Sequence, residues 1–409
     1  MTQPDSGQPD AQVVRIDAST DVDAGGNTGA DAGRDSGADG SIADGGMDPS
    51  PCAIDDGRCI FRHDTFGDEQ QWTDLLRLNE LVETLSPRAA LGVGLKVDSE
   101  AVPPEVLAAA DLDDPATTIA LLSLNAVVGV RATIEDGHVA SIGVACALCH
   151  SDVDDSVMPG VGRRLDGWPN RDLDTGAIIA LTPGLPALAA RLGADPDAAR
   201  AILRSWGPGR YDARFNQDGE SHPTLIPPAY GLRDVALATY TGDGDISYWN
   251  AYVAVTQMGA HGNFVDPEIG IDITHTPDLV TAKLPALRDY QYSLTAPAPP
   301  TVDAAAVTRG RAIFEGEARC VSCHSGATLS DAPMLHAASE VGADPNEARR
   351  SKTGMYRTTP LRGLAHRPPY FHDGSAATLA DVVARYEAAL AIELSETERA
   401  DLVEYLRSL

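Results

Sequence analysis

The chain has 409 residues, of which 43% are hydrophobic and 22% are charged, which is enough for two or three domains that each bury a core. No run approaches the roughly 18 apolar residues of a membrane span, so no transmembrane segment is expected. The formal net charge of −29 makes nucleic acid and anionic membrane surfaces poor partners and favours a basic one.

The N-terminal stretch is predicted to be a disordered tether, which we place at residues 1–58. Its first fifty residues hold 10 aspartates against 2 arginines, are rich in glycine and alanine, and include no aromatic residue. Such a segment cannot bury enough apolar surface to offset the entropy lost on ordering. Its like charges repel one another, so an extended chain is expected.

Two cysteines, Cys52 and Cys59, lie at the end of this tether. We predict a disulfide between them, which indicates an oxidising compartment. The alternative is a pair of free, exposed thiols.

Residues 59–295 are predicted to form a first domain that begins with a helix and a β-hairpin. Apolar residues recur at helical spacing over residues 72–85, which predicts an amphipathic helix. Two alternating apolar runs then flank a Glu-Asp-Gly turn at 135–137, a pattern typical of a β-hairpin. The hairpin would deliver the chain directly to Cys146.

A Cys-x-x-Cys-His motif occurs twice, as CALCHSD from residue 146 and as CVSCHSG from residue 320. Two thiols at this spacing add across the vinyl groups of haem, and the adjacent histidine binds the iron. Zinc is the alternative, since Cys-x-x-Cys pairs also bind it, but zinc needs no fixed trailing histidine. We therefore predict two covalent c-type haems, held by Cys146, Cys149, His150, Cys320, Cys323 and His324.

A passage rich in glycine, proline and aspartate follows the first motif and contains one predicted helix, at 195–206. Two further helices are predicted, at 246–258 and 283–294. The proline-rich stretch APAPPTV at 296–302 reads as a linker, and the domain boundary is placed there.

The last domain, residues 300–409, is predicted to be a small helical unit around the second motif. Its first helix runs through AAAVTRGRAIFEG and leads to the motif. Thr378 is the expected cap of a second helix, and Ser395 with Glu398 forms a capping box before a third. First and last helices that frame a Cys-x-x-Cys-His are the layout of small cytochromes c.

The second motif, read together with YRTTPLRGLAHRPPYFHDGSAATLADVV at 356–383, resembles the bacterial di-haem cytochrome c peroxidase family, which includes the methylamine-utilisation di-haem enzyme. The resemblance is strong over 300–409 and weaker over 220–295. It implies a mainly α fold of two cytochrome c-like haem domains, here with a small β-hairpin and long loops in the N-terminal one. It also implies a peroxide-reacting N-terminal haem and a C-terminal haem that receives electrons.

The chain departs from that family at the positions of catalytic groups. Gly242-Asp243-Gly244 stands where the family has Trp-Asp-Gly, so the relay between the haems is missing unless Tyr240 or Trp249 replaces it. The family's histidine shortly after the first motif and its distal glutamate are both absent. The corresponding stretch VTQMGAHGNF leaves two catalytic candidates, His261 and Gln257.

The resemblance makes His150 and His324 the proximal iron ligands and leaves the sixth ligands open. Tyr386 stands at the family's position for the ligand of the C-terminal haem, although its helical stripe also fits an ordinary core tyrosine. Met355 is its rival. For the N-terminal haem an open site is one reading, and the candidate ligands are His222, Met258 and His261.

Two features of the C-terminal domain bear on other ligands. Pro369 and its neighbours resemble the family's interfacial calcium loop, so calcium is a further candidate, whereas His372 belongs to a structural turn. A basic run in this acidic protein reads as solvated surface, one or two of whose members pair with haem propionates. Its members are Arg349, Arg350, Lys352, Arg357, Arg362 and Arg367.

The sequence therefore predicts an exported di-haem c-type cytochrome that works in electron transfer, with peroxidase-like oxidoreductase activity as its enzymatic reading. The alternative is a plain electron carrier whose haems are both six-coordinate. A small basic or soluble redox partner is expected, with peroxide as a possible small-molecule oxidant. Covalent c-type haem is attached outside the cytoplasm, so we expect a periplasmic or cell-surface protein, a lipoprotein included. MTQPDSGQPD has no apolar signal region, so the signal and any anchor were either removed or lie upstream of this sequence.

Overall fold

The computed structural model describes residues 52–409. The predicted tether therefore falls largely on residues 1–51, outside the described part of the chain. Cys52 and Cys59 form a disulfide with their Cα atoms 5.4 Å apart, which confirms that prediction. No helix within 52–409 has the length and apolar character needed to cross a membrane.

The described chain is mainly helical, as predicted. Its α-helices are α1 Gly57–His63, α2 Leu78–Val82, α3 Pro87–Gly92, α4 Pro104–Ala109, α5 Pro115–Ser123, α6 Ala147–His150, α7 Thr175–Leu181, α8 Leu185–Arg191, α9 Pro196–Ser205, α10 Phe215–Asp218, α11 Ile246–Val253, α12 Leu284–Ser293, α13 Ala304–Glu315, α14 Ala338–Val341, α15 Asn346–Arg349, α16 Leu379–Leu390 and α17 Glu396–Arg407. Most are short, and long loops connect them.

The strands form small two-stranded ladders. They are β1 Val97–Asp98, β2 Val130–Glu135, β3 His138–Val144, β4 Ser151–Val153, β5 Val161–Gly162, β6 Arg164–Asp166, β7 Arg210–Tyr211, β8 Thr224–Leu225, β9 Phe264–Asp266, β10 Ile271–Ile273, β11 Leu335–His336 and β12 Tyr356–Arg357. β1 pairs with β5 in parallel, and the antiparallel pairs are β2–β3, β4–β6, β7–β8, β9–β10 and β11–β12.

The predicted β-hairpin is confirmed and leads into the first motif. β2 and β3 pair from Val130 opposite Val144 to Glu135 opposite His138. The two turn residues between them, Asp136 and Gly137, both have positive φ. A two-residue hairpin turn whose twist matches that of its strands requires this conformation.

The amphipathic helix predicted over 72–85 is wrong in its length, because the chain breaks at Arg77. A π-helical turn covers Gln70–Leu75, Arg77 adopts φ 56°, and α2 then begins. The break sends Leu76 and Leu78 into different apolar clusters, one around Trp206 and the other in the main core. Tertiary packing of these two leucines thus overrides the helical periodicity.

Two separate apolar cores flank the linker between α12 and α13. The main one draws its buried members from Ile60 to Leu287, and the other from Phe314 to Leu406. We refer to residues 52–295 as the N-terminal half and to residues 300–409 as the C-terminal half.

The C-terminal half is built on helices whose ends the sequence marks clearly. The Thr378 and Ser395 side chains cap α16 and α17, and Ser395 forms a capping box with Glu398, as predicted. Thr378 also forms a capping box, with Asp381. α13 crosses α17 closely at Gly310, where a Cβ atom would lie 2.0 Å from the Asp401 carbonyl oxygen. This crossing holds the first and last helices of the half together, and the second motif follows α13.

Candidate haem cavity

A mostly apolar cavity of about 890 Å³ lies between the N-terminal and C-terminal halves. Both Cys-x-x-Cys-His motifs contribute to its wall, through all four cysteines and both histidines. Residues that are far apart in sequence therefore meet at one site.

The first motif enters the wall at the end of the β-hairpin. Cys146 precedes the single turn α6, which packs so tightly on Gly129 that a Cβ there would lie 1.9 Å from the Leu148 nitrogen. The His150 Nδ1 lies 3.0 Å from the Pro227 carbonyl oxygen, to which it donates. That bond fixes the tautomer and leaves Nε2 free as a ligand. Burial lowers the pKa of His150 to about 4, so the ring is neutral at physiological pH.

The second motif reproduces this arrangement in a different local structure. A 3₁₀ turn, Cys320–Ser322, follows the end of α13 after Arg319, which has φ 52°. The His324 Nδ1 lies 3.0 Å from the Leu329 carbonyl oxygen, and burial lowers the pKa of this ring also. Both histidines thus present a neutral Nε2, which is the form that binds a metal.

The four cysteines of the motifs are unbridged thiols that line the cavity. Burial raises the pKa of Cys146 and Cys149 to about 12 and that of Cys320 to about 11, so they are protonated. A zinc site would need several of these ligands to converge. Within residues 52–409, the one group of three converging metal-ligating side chains is Cys323, Asp331 and His336, and it includes no other motif residue.

Two buried arginines, Arg357 and Arg367, and the half-buried Arg171 line the cavity without an acidic partner in the described part of the chain. Arg171 donates to the Ile226 carbonyl oxygen at 2.8 Å, and Arg367 donates to that of Pro360 at 2.8 Å. Arg357 donates to backbone carbonyls in the same way, and burial lowers its pKa to about 10. Buried cations are costly unless an anion compensates them.

These features fit haem c, whose attachment the two thiols and the histidine of each motif would provide. The propionates of haem would supply the negative charge that Arg171, Arg357 and Arg367 lack. Arg357 and Arg367 belong to the basic run of six that was expected to be solvated surface, with one or two members beside propionates. Arg171 was not predicted, because it lies in a loop with no motif around it.

On the side of the second motif, Tyr386 lies in the cavity wall and Met355 does not. Tyr386 is carried by α16, and its ring lies 5.8 Å from that of Phe371. Burial raises the pKa of Tyr386 to about 12, and its hydroxyl has no hydrogen-bond partner within 52–409. Met355 is 40% exposed and lies outside the cavity lining.

On the side of the first motif, Gln257 and Met258 lie in the cavity wall, on the π-helical turn that follows α11. Gln257 accepts a hydrogen bond from the Tyr211 hydroxyl at 3.1 Å. His261 and His222 lie outside the lining. His261 donates from Nδ1 to the Pro277 carbonyl oxygen at 2.7 Å, whereas His222 lies beside Glu220 and Arg349.

The two aromatic residues that could replace the family's tryptophan relay both reach the cavity. Tyr240 is half-buried, and its hydroxyl donates to the Leu225 carbonyl oxygen at 3.2 Å. Trp249 is buried on α11, and its Nε1 has no hydrogen-bond partner among the described residues.

Comparison with known proteins agrees with this geometry. A family model described as cytochrome c matches residues 307–409. Cytochrome-c peroxidase IdrP2 of Pseudomonas sp. (strain SCT) is 29% identical over 151 residues, which cover 26% of this chain and 41% of that protein. Methylamine utilization protein MauG of Methylorubrum extorquens is 33% identical over 118 residues, which cover 25% of this chain and 33% of that protein. The chain thus contains a cytochrome c domain at 307–409 and is similar, over part of its length, to di-haem cytochrome c peroxidases and MauG.

The match to these peroxidase relatives is partial. The chain spans between 33% and 41% of the length of the curated relatives it matches. Among solved structures, a MauG-like protein associated with microbial copper homeostasis matches 46% of this chain and 74% of its own at 19% identity, with a TM-score of 0.33.

Glutamate side chains that the sequence did not single out also line the cavity, and one of them, Glu347, is buried. Glu347 lies on α15 in the C-terminal half, and its buried side chain reaches both the cavity and Arg214 of the N-terminal half. Its surroundings in sequence are polar and carry no motif, so only the tertiary contact identifies it.

Proposed function

We propose that this protein is an exported c-type cytochrome that binds two covalent haems in one cavity and transfers electrons, with peroxidase-like reduction of peroxide as its reaction. The observation that carries the proposal is the placement of both motifs on that cavity, each histidine with Nδ1 bound to a carbonyl oxygen.

The residues of the chain have distinct tasks in this proposal. The thiols hold each group in place, the histidines present Nε2 to one face, and the three arginines compensate the propionates. When bound, haem supplies reversible one-electron transfer and, where a coordination position is open, a site for peroxide. The apolar cavity wall limits access of bulk water to both sites.

We propose that the two sites differ in their sixth ligand. Tyr386 lies close to Cys320 and Cys323 and is the candidate ligand at the second site. At the first site, the apolar wall beside Cys146 and Cys149 includes Met258, whose neutral thioether is a weaker ligand. The first site is therefore the one that we expect to be open.

The two catalytic candidates offer little general acid–base catalysis at the first site. Gln257 faces the cavity but does not titrate, and His261, the other catalytic candidate, lies outside the lining. General acid–base catalysis typically contributes about 10²–10⁴-fold in rate. We therefore expect slow peroxide turnover, with Gln257 and the Tyr211 hydroxyl able to orient a bound peroxide.

Electron paramagnetic resonance of the oxidised protein, with and without cyanide, tests this function. We expect a high-spin component that cyanide converts, together with slow peroxide reduction. Two fully low-spin signals that ignore cyanide in both redox states would instead support the alternative, a plain electron carrier.

The proposal also covers the redox partner and the location of the protein. The net charge of −29 favours a basic or soluble redox partner, since opposite charges steer association. Covalent haem attachment and the Cys52–Cys59 disulfide both favour a periplasmic or cell-surface location, a lipoprotein included. Calcium at the Pro369 loop stays a prediction.

A further inference from the structure

Glu347 belongs to a buried ionic cluster that joins the two halves beside the cavity. It pairs with Arg214, which also pairs with Asp243 at 2.6 Å. Arg350 lies 3.8 Å from Glu347 and 3.0 Å from Asp212. All five of these side chains are buried.

The charges of this cluster do not balance. Three buried carboxyl groups, Asp212, Asp243 and Glu347, face two buried guanidinium groups, Arg214 and Arg350. Asp218 adds a further, partly exposed carboxylate to Arg350 at 2.7 Å. Oδ1 of Asp243 is buried without a hydrogen-bond partner among residues 52–409. An uncompensated buried carboxylate is costly, so one of the three buried carboxyl groups can carry a proton.

Among these carboxyl groups, Glu347 is the one in the cavity wall. Burial raises its pKa to about 7, with Arg214 and Arg350 opposing this and Asp212 and Asp243 adding to it. The other charged or titratable groups that it influences are Tyr240, Tyr252 and Tyr356. Near neutral pH the protonated and ionised forms of Glu347 are therefore similarly populated. A change of charge in the cavity would shift the proportion of the two forms.

We propose that Glu347 takes up a proton from water when an electron enters the haem cavity and releases it when the electron leaves. The added electron comes from a one-electron reductant, and the carboxylate gains an O–H bond, so the net charge of the site is unchanged. This inference rests on the proposed function, because the electron must reside on a bound haem. Glu347 would supply the cavity with a buried acid from the C-terminal half of the chain.

Midpoint potentials measured against pH on the haem-loaded full chain test the proposal. In the wild type we expect the potential of one haem to fall by about 59 mV per pH unit near neutral pH, which is a tenfold change in proton concentration converted at the one-electron factor. Glu347→Gln, which keeps the shape but does not titrate, should remove this slope. Glu268→Gln is the matched control, since that carboxylate is 74% exposed and pairs with Lys352.

Each outcome decides between the two proposals. A flat wild-type profile, or an unchanged slope in Glu347→Gln, overturns the role of Glu347 and leaves the proposed function intact. Absence of any haem redox signal from the wild type overturns the proposed function itself. If Glu347→Gln does not fold, the reduced-minus-oxidised infrared spectrum of the wild type with isotope-labelled glutamate replaces it. A label-sensitive protonated carboxyl band supports the proposal, and its absence contradicts it.

Discussion

At the residue scale, the environment of each titratable side chain decides what it does. His150 and His324 differ in local structure, yet both are buried and both bind a carbonyl oxygen through Nδ1. The letters Cys-x-x-Cys-His predict these ligands because all of them are adjacent in the chain. Glu347 and Arg171 escape prediction because their partners come from distant segments.

Tyr386 offers a direct test at this scale. Its hydroxyl faces the cavity without a hydrogen bond inside the described region, so Tyr386→Phe should change the spin state and optical spectrum of one haem. Tyr405→Phe is the control, because Tyr405 packs on Phe314 in the core of the same half. An unchanged spectrum in Tyr386→Phe would make Tyr386 an ordinary core tyrosine and leave the sixth position to another group.

His63 provides a prediction about pH and stability. Burial and the neighbouring Arg164, Arg131 and Arg62 lower its pKa to about 4, below the roughly 6.5 expected when unfolded. The unfolded chain therefore binds a proton first, and stability should fall as the pH drops from about 6.5 to 4. Because His63 keeps some solvent contact, the loss should be smaller than the ~1.4 kcal/mol per pKa unit of a fully buried group.

The variant His63→Gln isolates this effect. Its free energy of unfolding, measured by urea titration at several pH values, should gain on that of the wild type as the pH falls through this interval. Parallel pH profiles of the two proteins would show that His63 is not the group responsible.

At the element scale, local signals predicted some elements well and failed where tertiary packing intervened. The hairpin at 130–144 and the capped helices α16 and α17 formed as predicted, because turn and cap residues act through their immediate neighbours. The helix expected over 72–85 breaks at Arg77, since Leu76 and Leu78 pack into separate clusters. No local pattern marks that choice.

The segment 344–357, which we call the strap, was expected to present its basic residues to solvent. Instead it carries Arg350 into the N-terminal half. The Arg350 side chain is 2% exposed and pairs with Asp212 at 3.0 Å and with Asp218 at 2.7 Å. Arg349 beside it is 48% exposed and pairs with Glu220. A charge run alone does not tell which arginine is buried.

These neighbours form a matched pair of variants. Arg350→Ala should lower the free energy of unfolding by about 3–5 kcal/mol, because it leaves buried carboxylates without their partner. Arg349→Ala should cost under about 1 kcal/mol, as for an exposed ion pair. Denaturant unfolding measures both values. Equal losses from the two variants would show that the buried Arg350 pairs do not stabilise the contact of the strap with the N-terminal half.

At the scale of the whole molecule, the site arises from the meeting of two halves with separate cores. The linker and the repeated motif predicted two motif-bearing units, and the family resemblance implied haems that face a shared interface. Which residues join the two halves could not be predicted from either. That information lies in contacts across the linker, such as the pair of Arg214 with Glu347 and the donation from the Arg357 nitrogen to the Tyr240 carbonyl oxygen at 3.0 Å. These contacts are between residues more than a hundred positions apart.

The number of haems bound to the full chain tests the central claim most directly. Intact-mass measurement of protein produced with a c-type maturation system should give the mass of the chain plus two haems. Cys146→Ala with Cys149→Ala should remove one haem, and Cys320→Ala with Cys323→Ala should remove the other. A wild-type mass that corresponds to one haem or to none would contradict the account.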